Sequence, residues 1–326
     1  MNKIAILTDS AANLPQEYYK AHSNLFVLPL MIIIDGKEHR DQVDVKAEEV
    51  YARLDTSVIT SSLPDRGELD QLLAKLKTEG YTDILCISIS SGLSGTFNSF
   101  RLAFQDVKGI KITHYDSKTL GAGLGYLVEY AVELVASKTP VAEIIPLLDK
   151  LRYEDSLAMY TINTLKYLRK GGRIGKVEGT IGDILHIKPV ITVNDEGVYV
   201  TLNKGFGLNR SLISMKKHMV EKFGPDLVDL TVHYGADPVK AQELGDMLKK
   251  ELNVRYLTIS ALTPVLGIHT GPEMFAYIAR RVDQLTRYQN AAYAARYAGL
   301  VETVRKAEAE KALGKQGLTE AVARFL

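Results

Sequence analysis

Short continuous apolar runs alternate with helical patterns through the first half of the chain, the arrangement of a parallel sheet covered by helices. Residues 3–8 (KIAILT) read as a buried strand that stops at Asp9-Ser10. LFVLPLMIII at 25–34 reads as one irregular or edge strand, because Pro29 interrupts it, and Asp35-Gly36 marks a turn. Leu69, Leu72, Leu73 and Leu76 share one face of a helix expected from Asp65 to Lys77, with Gly80 just past its end. DILCISIS at 83–90 is the clearest buried strand, and Phe97, Phe100, Phe104 and Val107 follow it at helical spacing. KITHYD at 111–116 predicts another strand, and helices are expected over 119–137 and 140–152.

The second half mixes its signals. SLAMYTI at 156–162 predicts a strand, and a short helix is expected to end at Gly171-Gly172. PVITV (189–193) and VYVTL (198–202) flank Asn194-Asp195-Glu196-Gly197, the turn chemistry of a β-hairpin. A helix (208–222), a strand (227–234), a helix (237–251) and a strand (256–261) complete the pattern. The expected fold class is α/β. An N-terminal domain (1–155) carries a mostly parallel sheet with flanking helices, and a C-terminal domain (156–282) carries a mixed, partly antiparallel one. Residues 283–326, rich in Ala, Glu, Lys, Arg and Tyr, predict a helical extension. Its Ala291, Ala295, Ala298 and Val301 recur at helical spacing, which suits packing on the body, an oligomer contact or a solvated helix equally.

Composition narrows the function classes. Forty basic against thirty-nine acidic side chains leave a formal charge of +1, which argues against a nucleic-acid partner and a DNA-binding regulator. The single cysteine, Cys86, excludes an internal disulfide framework and a multi-cysteine zinc site. The seven histidines are scattered and no H-E-x-x-H occurs, so no metal is expected. No run approaches the ~20 apolar residues of a membrane span, and MNKIAILTDS lacks a signal-peptide core. The expected address is the cytoplasm, with at most transient membrane contact.

Four polar clusters follow strand or loop ends. Thr8-Asp9-Ser10 closes the first strand, where a parallel sheet opens into its ligand crevice; helix capping is the alternative reading. SSGLSGT at 90–96 offers hydroxyl and backbone donors at a helix start, a nest for a carboxylate or phosphate. It is one residue short of G-x-S-x-G and has no Walker lysine, and capping again competes. TSSLPD at 60–65 reads as an extended polar loop before Pro64. GIHTGPE at 267–273 holds His269 and Thr270 between glycines and a proline, a positioned donor or a structural histidine. GAGLG at 121–125 lacks the dinucleotide spacing, and GGRIGK at 171–176 reads as a helix stop and turn.

Taken in order, TDS (8–10), SSGLSGT (90–96), YDSK (115–118), GGRIG (171–175), LHIKPV (185–190) and HTGP (269–272) make the chain resemble DegV-family proteins over about residues 1–281. The resemblance implies two α/β domains with a long-chain fatty acid bound between them as ligand, and no other cofactor. It also implies a non-catalytic role, presenting the acyl carboxylate to a separate ATP-dependent fatty acid kinase subunit for phospholipid synthesis. The carboxylate ligands carried over are Ser61, Ser94 and His269. Thr8, Asp9, Ser10, Ser62, Ser91, Gly95 and Thr270 are further candidates. A buried carboxylate is costly unless several donors meet it, and two hydroxyls with an imidazole supply them without a full opposite charge. Each buried CH₂ of the acyl chain adds ~0.8 kcal/mol. Phe26, Leu28, Ile162, Ile184 and Ile191 are named as wall residues.

Three departures from the family pattern stand out. TSSLP replaces the usual T-S-Q-P, so Ser61 is assigned by counting back from Pro64. Phe206 stands where members often carry an arginine implicated in kinase contact, with Arg210 four residues later. Arg173, Phe206 and Arg210 are the candidate partner contacts. The segment after 282 exceeds the usual family length. The alternative function is an enzyme acting on a small carboxylate or acyl ester, with Ser94 as nucleophile, His269 as base and Asp9 as orienting acid.

Overall fold

The first strand, β1 (Ile4–Asp9), is buried on both faces, as an apolar run without alternation requires. It lies between β2 (Leu25–Leu28) and β6 (Asp83–Ser88), and β7 (Lys111–Asp116) completes an all-parallel sheet in the order β2-β1-β6-β7. The structure is a computed structural model that describes residues 2–175, 177 and 187–282. The extension expected over 283–326 and the wall residue Ile184 lie outside those residues.

LFVLPLMIII is not one strand. At Pro29-Leu30 the chain leaves the parallel sheet and starts β3 (Met31–Ile34), the centre of a separate antiparallel sheet. Its neighbours are β4 (Lys37–Arg40) and β5 (Ile59–Ser62), with α1 (Gln16–Ala21) before and α2 (Ala47–Arg53) within this region. Of the segment 60–65, expected as a loop, residues 60–62 are therefore strand: Ser61 pairs with Ile32 and Ser62 with Met31.

α3 (Arg66–Thr78) begins as the pattern required, with the Asp65 carboxylate accepting the Glu68 amide. With α4 (Thr96–Phe104) it covers one face of the parallel sheet, packing Leu69, Leu73, Leu76 and Phe100 on Ala5, Leu7, Ile84 and Cys86. The opposite face meets α5 (Ala122–Ala136), which is apolar almost all round and so is buried on several sides. It packs on β1 and β6, and also on β8 (Ser156–Ile162) and β13 (Met274–Arg281) of the second sheet. α6 (Val141–Tyr153) lies beside it.

The second sheet has the order β10-β9-β8-β13-β11-β12, with β9 (Ile187–Val193), β10 (Tyr199–Phe206), β11 (Leu227–Tyr234) and β12 (Asn253–Ala261). Only β11 and β12 run parallel, which confirms the mixed sheet. Between β8 and β9 lies the short α7 (Lys166–Lys170). α8 (Leu208–Phe223) and α9 (Pro238–Lys249) cover the outer face with Leu212, Met215, Met219, Phe223, Leu244 and Leu248. In the second half two elements were not expected: β13, and α10 (Pro264–Thr270), an apolar helix on which His269 sits; in the first half β4 and α2 were not expected. The described residues up to Arg281 form one compact unit.

Candidate functional site

A cavity of about 220 Å³ opens near the carboxyl ends of β1 and β6. Leu30, Leu63, Ile89, Leu93, Leu120, Val265 and Leu266 give it an apolar wall. Its polar lining is Ser61, Ser62, Ser94, Arg173, Tyr199 and His269, with the backbone of Gly95. Residues from both sides of position 155 therefore share it.

His269 closes one end. Its Nε2 lies 2.9 Å from Ser61 Oγ, so β5 and α10 meet through this pair. Nδ1 is buried without a hydrogen-bond partner and faces Gly171, whose place leaves room for the ring: a Cβ there would lie 2.1 Å from Nδ1. We assign the ring proton to Nε2, where Ser61 Oγ accepts it, which leaves the serine hydroxyl proton free to point into the cavity. Burial, with the positive charge of Arg173 adding to it, pushes the imidazole down to about 4, so the ring is neutral at neutral pH. α7, which ends at Gly171, is tied to the α2 end by Lys166 and Tyr167 to Asp55 (2.6 and 3.2 Å) and by Lys170 to the Leu54 carbonyl (3.1 Å).

Ser94 approaches from the loop after β6. Its Oγ lies 2.8 Å from Thr96 Oγ1 and accepts the Thr96 amide at 3.2 Å. The capping and lining readings of Ser94 thus hold together. Tyr199 arrives on the β9–β10 hairpin, which is fastened to the same loop: Ser90 Oγ donates to the Gly197 carbonyl at 2.7 Å. A Cβ at Gly92 would stand 2.5 Å from that carbonyl oxygen, so only glycine lets the two backbones approach. Arg152 secures the hairpin from below through the Val193 and Asn194 carbonyls (3.2 and 3.1 Å).

Several expectations need correction. Thr8, Asp9 and Ser10 are buried but do not line the cavity. Asp9 instead accepts the Ala11 and Ile89 amides (3.0 and 2.8 Å), which realises the capping alternative. Ser91 is exposed and bonded to Asp116 and Lys118, because the loop turns its side chain outward. Thr270 is buried with its hydroxyl on the Gly267 and Gly271 carbonyls. Phe26 and Leu28 belong to the packing under α3 and α4, and Ile162 and Ile191, though fully buried, are not wall residues. Arg173, expected at a partner surface, lines the cavity and adds the positive charge that the three-ligand reading lacked. Phe206 (61% exposed) and Arg210 stand on the outside. The enzyme constellation is not assembled: His269 pairs with Ser61, Ser94 with Thr96, and Asp9 with backbone amides. Among the described residues no cluster of three His, Cys, Asp or Glu side chains could hold a metal, and no helix is long and apolar enough to cross a membrane.

Comparisons with known proteins bear on the family and the fold. A family model described as an uncharacterised protein of the DegV family matches residues 3–281; a family of unknown function, DUF6537, matches 275–326. A DegV domain-containing protein of Clostridium perfringens is 39% identical over 274 residues, 84% of this chain and 97% of the relative. One from Staphylococcus aureus (strain MRSA252) is 36% identical over 276 residues, 83% of this chain and 96% of its own. Among solved structures, a fatty-acid-binding DegV-family protein of Streptococcus agalactiae superposes with a TM-score of 0.79 at 28% identity, covering 87% of this chain and all of its own. A stearic-acid-binding protein of Eubacterium ventriosum gives 0.76 at 27%, covering 86% and 98%. With the family model spanning all three sheets and the cavity, this chain belongs to the DegV family.

Proposed function

We propose that the protein binds a long-chain fatty acid without chemically altering it, its carboxylate held by Ser61 and Ser94, with His269 orienting the Ser61 hydroxyl towards it, and its acyl chain taken up by apolar wall. The observation that carries this reading is the Ser61–His269 pair at the end of a mainly aliphatic cavity that Ser94 and Arg173 also line. A buried carboxylate needs hydrogen-bond donors and gains from a nearby cation. Ser61, with its acceptor role filled by His269, has a proton to give, and Arg173 supplies the charge. The fatty-acid-binding structures of S. agalactiae and E. ventriosum support the choice of ligand.

In this reading the chain is a cytoplasmic carrier of two domains, 1–155 and 156–282, with the acid between them. It hands the carboxylate to a separate ATP-using kinase subunit that makes acyl phosphate for phospholipid synthesis. Phe206 and Arg210 are exposed and available to such a partner, with an aromatic ring where a cation is usual. Denaturing extraction of the purified protein followed by mass spectrometry tests the ligand. The expected result is a long-chain fatty acid in near-stoichiometric amount. Repeated preparations with no lipid, together with acyl-ester turnover lost in Ser94→Ala, would replace the carrier by the enzyme.

A further inference from the structure

Behind the cavity wall lies a buried polar cluster almost closed to solvent. Asp9 is 0% exposed, Ser10 3% and Asp41, in the loop after β4, 1%. Each side chain takes a backbone amide from a different segment. Asp9 Oδ2 accepts from Ile89 N (2.8 Å), Ser10 Oγ from Leu30 N (3.0 Å) and Asp41 Oδ1 from Val265 N (2.9 Å). All three amides belong to wall residues of the cavity. Asp41 Oδ2 also takes the Thr263 hydroxyl, at the start of α10. Further bonds close the knot: Ala11 N to Asp9 Oδ1 (3.0 Å), Gln42 Nε2 to the Ser10 carbonyl (3.1 Å), Asp41 N to the Leu30 carbonyl (2.9 Å) and the Ser10 side chain to Asp41.

We propose that Asp9, Ser10 and Asp41 are positioning residues for the acid site. They clamp three wall segments into one arrangement, and Asp41 in particular fixes the start of α10 so that His269 reaches Ser61. The ends of β2 and β6 are spaced by their common neighbour β1, but α10 belongs to no sheet, so side chains must set its place against them. Carboxylates suit this because both oxygens accept, so one Asp takes donors on two sides, whereas an asparagine turns a donor towards one of them. Burial raises both acids, Asp9 to about 7 and Asp41 to about 6, so holding them dry is costly, and their amide and hydroxyl donors offset that cost. The role deepens the fatty-acid reading and rests on it only for the release assay.

The test is a double-mutant cycle on the dissociation rate of cis-parinaric acid, a fluorescent fatty acid, using Asp41→Asn with and without His269→Ala. Asp41→Asn should speed release about tenfold alone and less than about twofold in the His269→Ala background, the signature of a residue acting through another. Equal acceleration in both backgrounds, or none, would overturn the proposal. In the ligand-free protein, Asp41→Asn should also raise the His269 imidazole pKa measured by NMR, as the ring loses its place; an unchanged value would count against it. Should wild type bind no fatty acid, the ligand reading fails while this NMR measurement still decides on the clasp. Thr263→Val, which removes one of the two donors, should move each readout in the same direction by less. If neither variant folds, wild-type hydrogen exchange decides: the amides of Leu30, Ile89 and Val265 should share one opening free energy, and three unrelated values would refute the clasp.

Discussion

Gly171→Ala perturbs the site without removing any polar group. Gly171 has φ −83°, so alanine fits the backbone, yet its Cβ would lie 2.1 Å from His269 Nδ1 and 2.7 Å from Cε1. Ordinary contact begins at 3.4 Å, so the ring must withdraw by about 1.3 Å. Ser61 and His269 start at 2.9 Å, and that retreat breaks their bond. A hydrogen bond of this kind is worth about 0.5–1.5 kcal/mol net, which predicts a roughly three- to tenfold weaker affinity for oleate. Overpacking should also cost about 1–3 kcal/mol of stability in urea unfolding. Gly172→Ala is the control. Its φ of +68° strains an alanine, but nothing lies within 4 Å of the new Cβ, so stability should fall with oleate affinity unchanged. Displacement of cis-parinaric acid by oleate gives both affinities. A folded Gly171→Ala protein that binds oleate as wild type does would refute the reasoning that the His269 position governs the site.

Asp229 holds Arg255 (2.6 Å) and Arg280 (3.0 Å) where β12, β11 and β13 meet α5. Asp229→Ala leaves two partly buried cations without it and should cost about 3–5 kcal/mol in urea unfolding; a loss below 1 kcal/mol would contradict that. Burial pushes His233 as well as His269 down to about 4. Between pH 4 and 6.5 the folded state then binds fewer protons than the unfolded one. The stability from these rings is therefore complete above pH 6.5 and lost as pH falls toward 4. Asp41, raised to about 6 by burial, acts in the opposite sense, gaining stability as pH falls from 6 to about 4. Asp41→Asn should therefore steepen the acid loss of unfolding free energy, and a parallel pH profile would exclude this balance. Ser94→Ala should weaken oleate binding by about three- to tenfold and loosen the start of α4, read as faster amide exchange at Thr96; unchanged values for both would remove Ser94 from the site.

The buried strands were readable because no alternation is needed where both faces are covered, and β1, β6 and β11 are buried along almost their whole length. α10 was not: seven residues give too little periodicity, and burial on all sides removes the polar face that marks a helix. The split at Pro29 was visible only as an irregularity, since nothing local says that the two pieces join different sheets. Ser61, Ser94 and His269 do line one cavity, and the first and last are hydrogen-bonded. Arg173 was misplaced because its position follows from the turn at Gly171-Gly172, whose glycines read as a helix stop. The available signal was that pair beside a cation. The Thr8-Asp9-Ser10 segment was correctly set at a strand end, but which way side chains point there depends on segments such as Asp41 and Val265 that only the tertiary structure brings near.

The most direct measurement is the ¹³C NMR spectrum of carboxyl-labelled oleate bound to the protein. The account predicts one bound carboxyl resonance that stays ionised below the pH at which free oleate titrates, and that moves in Ser61→Ala, Ser94→Ala and His269→Ala while Ser91→Ala leaves it in place. A carboxyl signal indifferent to all three substitutions, or one that titrates like the free acid, would contradict it.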